Sequence, residues 1–106
     1  IKAIAPGHIL VIPKTHADDF SSASRESITA SMLIAQRMGR ALMQALGAGG
    51  FTIGVNNGRA AGQLVDHLHV HVIPRFEGDG LEHWPGKTYQ DGEMAKIGQK
   101  LREALR

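Results

Sequence analysis

The chain has 106 residues, of which 42% are hydrophobic and 21% charged, so it is long enough for one globular domain and too apolar for a disordered segment. It contains no cysteine, which excludes a disulfide framework, a cysteine-ligated metal centre and a cysteine nucleophile. The net charge is only +2, and the chain has neither a block of like charges nor an apolar run of about 18 residues, so we expect no nucleic-acid partner, no membrane span and a cytoplasmic location.

The first half of the chain predicts one short strand and one long helix. Residues 8–12 are rich in β-branched side chains and lie between turn-forming prolines, which favours a strand. Over residues 24–46, apolar residues recur at spacings of three and four, which predicts an amphipathic helix with a six-residue buried stripe: Ile28, Met32, Ala35, Met38, Leu42 and Leu46. Leu33, Ile34 and Met43 lie off that stripe, a surplus that is compatible with an interface between two copies.

The second half predicts two more strands and a short helix. Residues 51–55 and 64–74 carry strand patterns, and the short loop between them favours antiparallel pairing. A C-terminal helix is expected from about residue 91. The fold class is therefore α+β, an antiparallel sheet with one long helix and a C-terminal helix. We expect a single domain over residues 1–106, from which an N-terminal portion is missing.

Three of the six histidines alternate along the predicted third strand. Because successive side chains of a strand point to opposite faces, His67, His69 and His71 are expected to share one face, about 6.6 Å apart from one to the next. At that spacing, neighbouring imidazoles can contact one group of the size of a phosphate. The other face carries the residues expected to be buried against the helices: Leu68, Val70 and Val72.

Three kinds of chemistry fit this histidine face. A neutral imidazole can attack phosphorus and form a covalent intermediate, while a neighbouring ring stabilises the phosphate and assists the leaving group. A His-x-His pair can instead bind zinc, with a third ligand from His8, His16 or His83. The third possibility is a polar face whose histidines only form hydrogen bonds.

Residues around the histidines favour the phosphate interpretation. The loop just before the strand contains Asn56-Asn57-Gly58 and Gly62-Gln63, and glycines let backbone N–H groups approach an anion closely. The one nearby carboxylate, Asp66, alternates onto the face opposite His67, which disfavours zinc. His16 lies in a polar loop and is expected to be solvated.

The motif from His67 to Ile73 reads His-φ-His-φ-His-φ-φ, where φ is apolar, and it resembles the signature of the histidine triad (HIT) superfamily. The segment from Pro6 to Lys14 with His16 is similar to the family's upstream strand, and Asn56 and Gly62-Gln63 have the family's usual spacing. The resemblance covers roughly residues 5 to 76.

Two branches of the family share short matches with this chain. Pro74-Arg75 and Gly78-Asp79 resemble the fragile-histidine-triad branch, which hydrolyses dinucleoside polyphosphates. His83-Trp84-Pro85 is similar to the Hint branch, which hydrolyses nucleoside phosphoramidates. Trp84 is expected to pack on the C-terminal helix or to cover part of a nucleobase.

The resemblance implies a role for each residue of the motif. His69 would be the nucleophile that attacks the α-phosphorus of a nucleotide, with its other ring nitrogen held by the backbone carbonyl of His67. His71 would contact the phosphate and assist the leaving group, His67 would pair with His8 on the neighbouring strand, and Asn56 would bind the phosphate or leaving group. Water would then hydrolyse the nucleotidyl-histidine. Four residues would line the phosphate pocket through their backbone: Gly62, Gln63, Leu64 and Val65.

The resemblance also implies partners, and the chain departs from the family in two places. A nucleotide substrate and a homodimer whose two sheets combine are expected, with no required cofactor and with Mg²⁺ accompanying a polyphosphate.

Leu64 stands where many relatives have Ser or Thr, so one donor to the phosphate is missing. The residues that hold the ribose would lie ahead of Pro6. The alternatives are a metal-binding module built on the three histidines, and a nucleotide-binding protein with little turnover.

Overall fold

The structure, a computed structural model, describes residues 3–82 and 84–106, so the zinc-ligand and branch predictions for His83 lie outside the described residues. Two one-turn 3₁₀ helices, Phe20–Ser22 and Arg59–Ala61, lie in the connecting loops. The strands and helices follow in chain order: β1 Ile9–Val11, α1 Arg25–Leu46, β2 Gly50–Gly54, β3 Val70–Arg75 and α2 Glu93–Ala104.

The three strands form an antiparallel sheet with β3 in the centre, in the order β1-β3-β2. This confirms the predicted α+β class and the antiparallel pairing of the second and third strands. In this sheet, His71 pairs with Leu10 of β1 and with Gly54 of β2. The third strand begins at Val70, later than predicted, because residues before it extend past the ends of both neighbouring strands and find no ladder partner.

The apolar face of β3 forms the core with α1. Val70 and Val72 are at most 1% exposed, and so is Leu68 just before the strand, which confirms the predicted buried face. Val70 and Val72 pack with Val11 and with Leu42 of the helix. At about 25 cal/mol per Å² of apolar area, burying each of these side chains contributes about 1.5–3 kcal/mol.

The buried stripe of α1 differs from the predicted one. Its buried residues are Ser31, Ala35, Gly39 and Leu42. Met32 and Leu46, predicted to be buried, are exposed. The reason is the close approach of the sheet: a Cβ at position 39 would overlap the Phe51 ring of β2, so the contact face is made of small residues.

The C-terminal region is mostly exposed in the structure. Helix α2 has no buried residue, and Trp84 is 95% exposed, so the expectation that Trp84 packs on this helix is wrong. Within the described residues, neither α1 nor α2 is long and apolar enough to cross a membrane.

Candidate active site

His71 of β3, together with His67 and His69 just before the strand, lines a cavity of about 480 Å³. The sheet supplies one side of this cavity, and the loop between β2 and β3 supplies the other. Nine residues line it: Leu10, Ile12, Asn56, Gly62, Leu64, Val65, His67, His69 and His71. Seven of the nine predicted site residues therefore line the cavity, whereas His8 and Gln63 contact lining residues from behind.

His69 is held by the backbone in one tautomer. Its Nδ1 lies 2.8 Å from the carbonyl oxygen of His67, the contact that the resemblance implies. A carbonyl only accepts, so Nδ1 carries the proton and donates it. In the neutral ring, Nε2 then has a free lone pair. His69 is half-buried in the cavity wall, and its ring centroid is 5.0 Å from that of His71.

His71 is held in the opposite tautomer through His8. The backbone N–H of Ile4 donates to His8 Nδ1 at 3.1 Å, so a neutral His8 carries its proton on Nε2. That atom lies 2.9 Å from His71 Nδ1 and donates to it, which leaves the proton of His71 on Nε2. Nε2 of His71 is buried and has no hydrogen-bond partner among the described residues, so the site holds an N–H donor ready for an acceptor.

This pairing corrects the expectation that His8 contacts His67. In the register of the sheet, Leu10 is the partner of His71, and His8 lies two residues before Leu10 on the same face. A diagonal neighbour of this kind is within reach of a long or aromatic side chain. His8 therefore meets His71, whereas His67 lies beyond the end of β1.

Burial lowers the pKa of His71 below its ordinary value of 6.5, and the charges of His69 and His8 lower it further. Burial also lowers the pKa of His8. Both rings are consequently neutral near pH 7, which is the state that the two tautomers require.

His67 is anchored by residues of the loop after β1. Its Nδ1 lies 3.1 Å from Nδ1 of His16, and its Nε2 donates to the carbonyl of Pro13 at 3.2 Å. Nε2 of His16 lies 2.9 Å from Asp18 Oδ1. Asp18 Oδ1 and the Pro13 carbonyl both accept, so the Nε2 atom of each ring carries a proton. The two Nδ1 atoms form a hydrogen bond when a further proton lies between them. His16 is exposed over 62% of its side chain, as predicted, and it also contacts His67 and Asp18.

Gln63 holds the loop rather than lining the cavity. It is 4% exposed, and its Oε1 accepts from the N–H of Gly58 at 2.8 Å. Its Nε2 donates to the carbonyl oxygens of Asp18 at 2.6 Å and of Val65 at 3.0 Å. Gln63 therefore connects both loops beside the histidines. No pattern in the sequence indicates this role, because a polar residue in a glycine-rich loop is usually exposed.

The histidines are the only side chains of the described cavity wall that can carry a charge, and they do so only when protonated. Among the described residues that line it there is no Lys, Arg, Asp or Glu. The loop places two apolar side chains at the mouth, Leu64 with 81% and Val65 with 62% of its surface exposed. Within residues 3–82 and 84–106, no group of three or more His, Asp or Glu side chains is placed to hold a metal ion.

The chain is similar in sequence to proteins of one family. The family pattern described as HIT domain matches residues 1–78. An uncharacterized 16.1 kDa HIT-like protein of Mycoplasma pneumoniae is 47% identical over 74 residues, which are 70% of this chain and 51% of that protein. The bis(5′-adenosyl)-triphosphatase of Dictyostelium discoideum is 35% identical over 79 residues, which are 74% of this chain and 55% of that enzyme.

The fold is similar to that of a solved structure, SMU.412c from Streptococcus mutans UA159. The TM-score is 0.88 at 29% identity, over 97% of this chain and 66% of that one. The chain thus spans about half the length of the two curated relatives described above.

Proposed function

This chain belongs to the histidine triad (HIT) family, and from that premise we propose that it is a nucleotide hydrolase or nucleotidyl transferase that acts at the α-phosphate of a nucleotide. The family includes hydrolases such as the Dictyostelium triphosphatase. The proposed reaction passes through a covalent nucleotidyl-histidine on His69. The cleaved bond is a phosphoanhydride or a phosphoramidate.

In the first step, the lone pair of His69 Nε2 attacks the α-phosphorus. An N–P bond forms, the bond from phosphorus to the leaving group breaks, and the leaving atom keeps the electron pair and takes a proton from solvent. The ring of His69 becomes cationic, and the carbonyl of His67 stabilises it through the 2.8 Å hydrogen bond to Nδ1. The N–H of His71 Nε2, which has no partner in the described fold, donates to the phosphate or to the leaving atom.

In the second step, water attacks the same phosphorus. The N–P bond breaks, its electron pair returns to Nε2, and the proton of the water goes to solvent. His69 is then neutral again and the nucleoside monophosphate is released. Another hydroxyl or amine in place of water makes the reaction a transfer. Asn56, Gly62, Leu64 and Val65 line the cavity in which the phosphate would sit.

One observation carries the proposal: the backbone fixes the His69 tautomer that leaves a nucleophilic nitrogen free in a cavity. His69→Ala is expected to lower turnover of a nucleotide substrate by about 10³-fold or more while the thermal unfolding curve stays the same. Lys100→Ala, an exposed position on α2, serves as the control. An acid-labile adduct on His69 should be trapped in the wild type. Full activity of His69→Ala would reject the mechanism.

We also propose that two copies associate through α1. Leu33, Ile34 and Met43 of this helix are each at least 40% exposed, an apolar surface that a second copy would cover. Leu33→Glu should then convert a dimer into a monomer in sedimentation. A wild-type protein that sediments as a monomer at high concentration would exclude this interface.

A further inference from the structure

The loop between β2 and β3 (residues 55–69) supplies most of the cavity lining. Six of the nine described lining residues belong to it: Asn56, Gly62, Leu64, Val65, His67 and His69. The loop closes on itself at Gly58, whose carbonyl accepts from the N–H groups of Ala61 and Gln63, each at 3.1 Å. These two bonds fix the shape of the loop, but they leave open where the loop lies relative to the sheet.

The loop after β1 (residues 12–24) holds that loop in place. Its residues 17–20 contribute three main-chain groups, and each group forms a hydrogen bond to the loop between β2 and β3. The Ala17 carbonyl accepts from the N–H of Leu68 at 2.8 Å, the Asp18 carbonyl accepts from Gln63 Nε2 at 2.6 Å, and the N–H of Phe20 donates to Asn57 Oδ1 at 2.8 Å. Ile12 alone of the loop after β1 is a described lining residue, so this loop acts on the cavity through its neighbour.

The side chain of Asn57 serves this connection and not the cavity. Asn57 is not among the described lining residues, and its Oδ1 accepts from the N–H of Phe20. In the chain it lies between Asn56, which lines the cavity, and Gly58, which closes the loop. Holding Oδ1 of Asn57 therefore restrains the main chain on both sides of it.

The N–H of Phe20 is presented by contacts inside the loop after β1. Asp19, just before it, has extended backbone with φ of −152° and ψ of −176°. The Asp19 carboxylate accepts from the N–H of Ser22 at 3.1 Å and from the hydroxyl of Ser21 at 2.7 Å. The turn over residues 19–22 is thus stabilised from within, and the donor is in place for Asn57.

On the basis of the proposed function, we infer that Asn57 is a positioning residue of the reaction: by binding the N–H of Phe20, it keeps Asn56 and the backbone of residues 62–65 aligned with His69. Attack on phosphorus depends on such alignment, because a displacement of about 1 Å can lower a rate by about a hundredfold. Asn57 is exposed, so water competes for the same N–H, and this limits the effect of the one bond to roughly three- to tenfold.

The first test removes the acceptor. Asn57→Ala lacks Oδ1, whereas Asn57→Asp keeps an oxygen at that place, and about 0.5 M NaCl screens the charge that it adds. Both kcat and KM are measured for adenosine 5′-phosphoramidate and for diadenosine triphosphate with Mg²⁺. Asn57→Ala should lower kcat and kcat/KM together by roughly three- to tenfold, and Asn57→Asp should stay within about twofold of the wild type. An unchanged Asn57→Ala, or equal losses in both variants, would overturn the inference.

The second test removes the donor. Phe20→Pro has no N–H at this position, and the extended Asp19 before it has the conformation that a proline requires. Phe20→Ala also loses the ring but keeps the N–H, so it is the matched control. Phe20→Pro should match Asn57→Ala in kcat, and the double variant should be no slower than either single variant, because both remove the same bond. Additive losses, or equal losses in Phe20→Pro and Phe20→Ala, would refute the role of this bond.

A third comparison separates positioning from general stability. Ser21→Ala removes the bond from Ser21 Oγ to Asp19 Oδ1, which lies within the loop after β1. We expect Ser21→Ala to lower Tm by an amount similar to Asn57→Ala, while its kcat/KM stays within about twofold of the wild type. If kcat/KM instead follows Tm across all these variants, Asn57 is merely structural and the inference fails.

These outcomes separate the inference from the function on which it rests. If His69→Ala is inactive and Asn57→Ala keeps the kcat/KM of the wild type, the inference fails and the proposed function stands. If the wild type cleaves neither substrate, or if His69→Ala cleaves them as well as the wild type does, the proposed function fails and the inference falls with it.

Discussion

Replacing His8 with alanine is expected to impair catalysis, although His8 does not line the cavity. In the wild type, the backbone of Ile4 fixes the tautomer of His8, and His8 Nε2 donates to His71 Nδ1 at 2.9 Å. Without His8, Nδ1 of His71 has lost its donor. The proton of His71 is then no longer confined to Nε2, where the proposed mechanism needs it.

The size of the effect follows from one lost hydrogen bond at a half-buried ring. Such a bond contributes about 0.5–1.5 kcal/mol, and a buried polar group left without a partner costs about 1–3 kcal/mol. We therefore expect unfolding to become easier by about 1–2 kcal/mol, or roughly 4–15 °C in Tm for a chain of this length. Because 1.4 kcal/mol is a factor of ten, kcat should fall roughly tenfold with a smaller change in KM.

Nuclear magnetic resonance of the histidine ring nitrogens measures the tautomer without any substrate. His71 should carry its proton on Nε2 in the wild type and on both nitrogens in exchange in His8→Ala. His16→Ala removes the other close contact between histidine rings and should leave the His71 tautomer unchanged. A wild-type His71 protonated on Nδ1, or a His8→Ala variant with unchanged tautomer and kcat, would refute the reasoning.

Three further predictions concern stability. Gln63→Leu leaves the N–H of Gly58 and the carbonyls of Asp18 and Val65 without their side-chain partner. The free energy of unfolding in urea should fall by about 2–3 kcal/mol, and a change below about 0.5 kcal/mol would show that water replaces the side chain. Gly39→Ala forces a Cβ into the Phe51 ring and should cost about 1–3 kcal/mol, part of which Phe51→Leu restores if the overlap is the cause. Because the pKa values of His8 and His71 are lowered from 6.5, the unfolded chain binds more protons than the folded protein below that pH. The free energy of unfolding should therefore fall as the pH drops from 7 to 5. A rise would contradict the burial of these rings.

The sequence predicted those parts of the fold that depend on local pattern. The alternation of Leu68, Val70 and Val72 with the histidines determined which face of β3 is buried, and the structure agrees. The helix over 24–46 was predicted to within one residue at its start, because Ser24 caps it and Gly47 adopts the left-handed conformation that ends it.

Features that depend on contacts between distant segments could not be predicted in the same way. The partner of His8 depends on the register of β1 against β3, which no local pattern contains. The buried stripe of α1 was misplaced because hydrophobicity gives little weight to Ser31 and Gly39, whereas packing against Phe51 requires small residues there.

The two central histidines show how one residue type serves two opposite roles. His69 and His71 are two residues apart on the same face, and in isolation their rings are chemically identical. A backbone acceptor, the carbonyl of His67, makes Nε2 of His69 a lone-pair nucleophile. A backbone donor, the N–H of Ile4, acts through His8 and makes Nε2 of His71 an N–H donor. The nucleophile and the hydrogen-bond donor of the proposed reaction are therefore assigned by main-chain groups, and exchanging the two tautomers would leave every side chain in place and no nucleophile on His69.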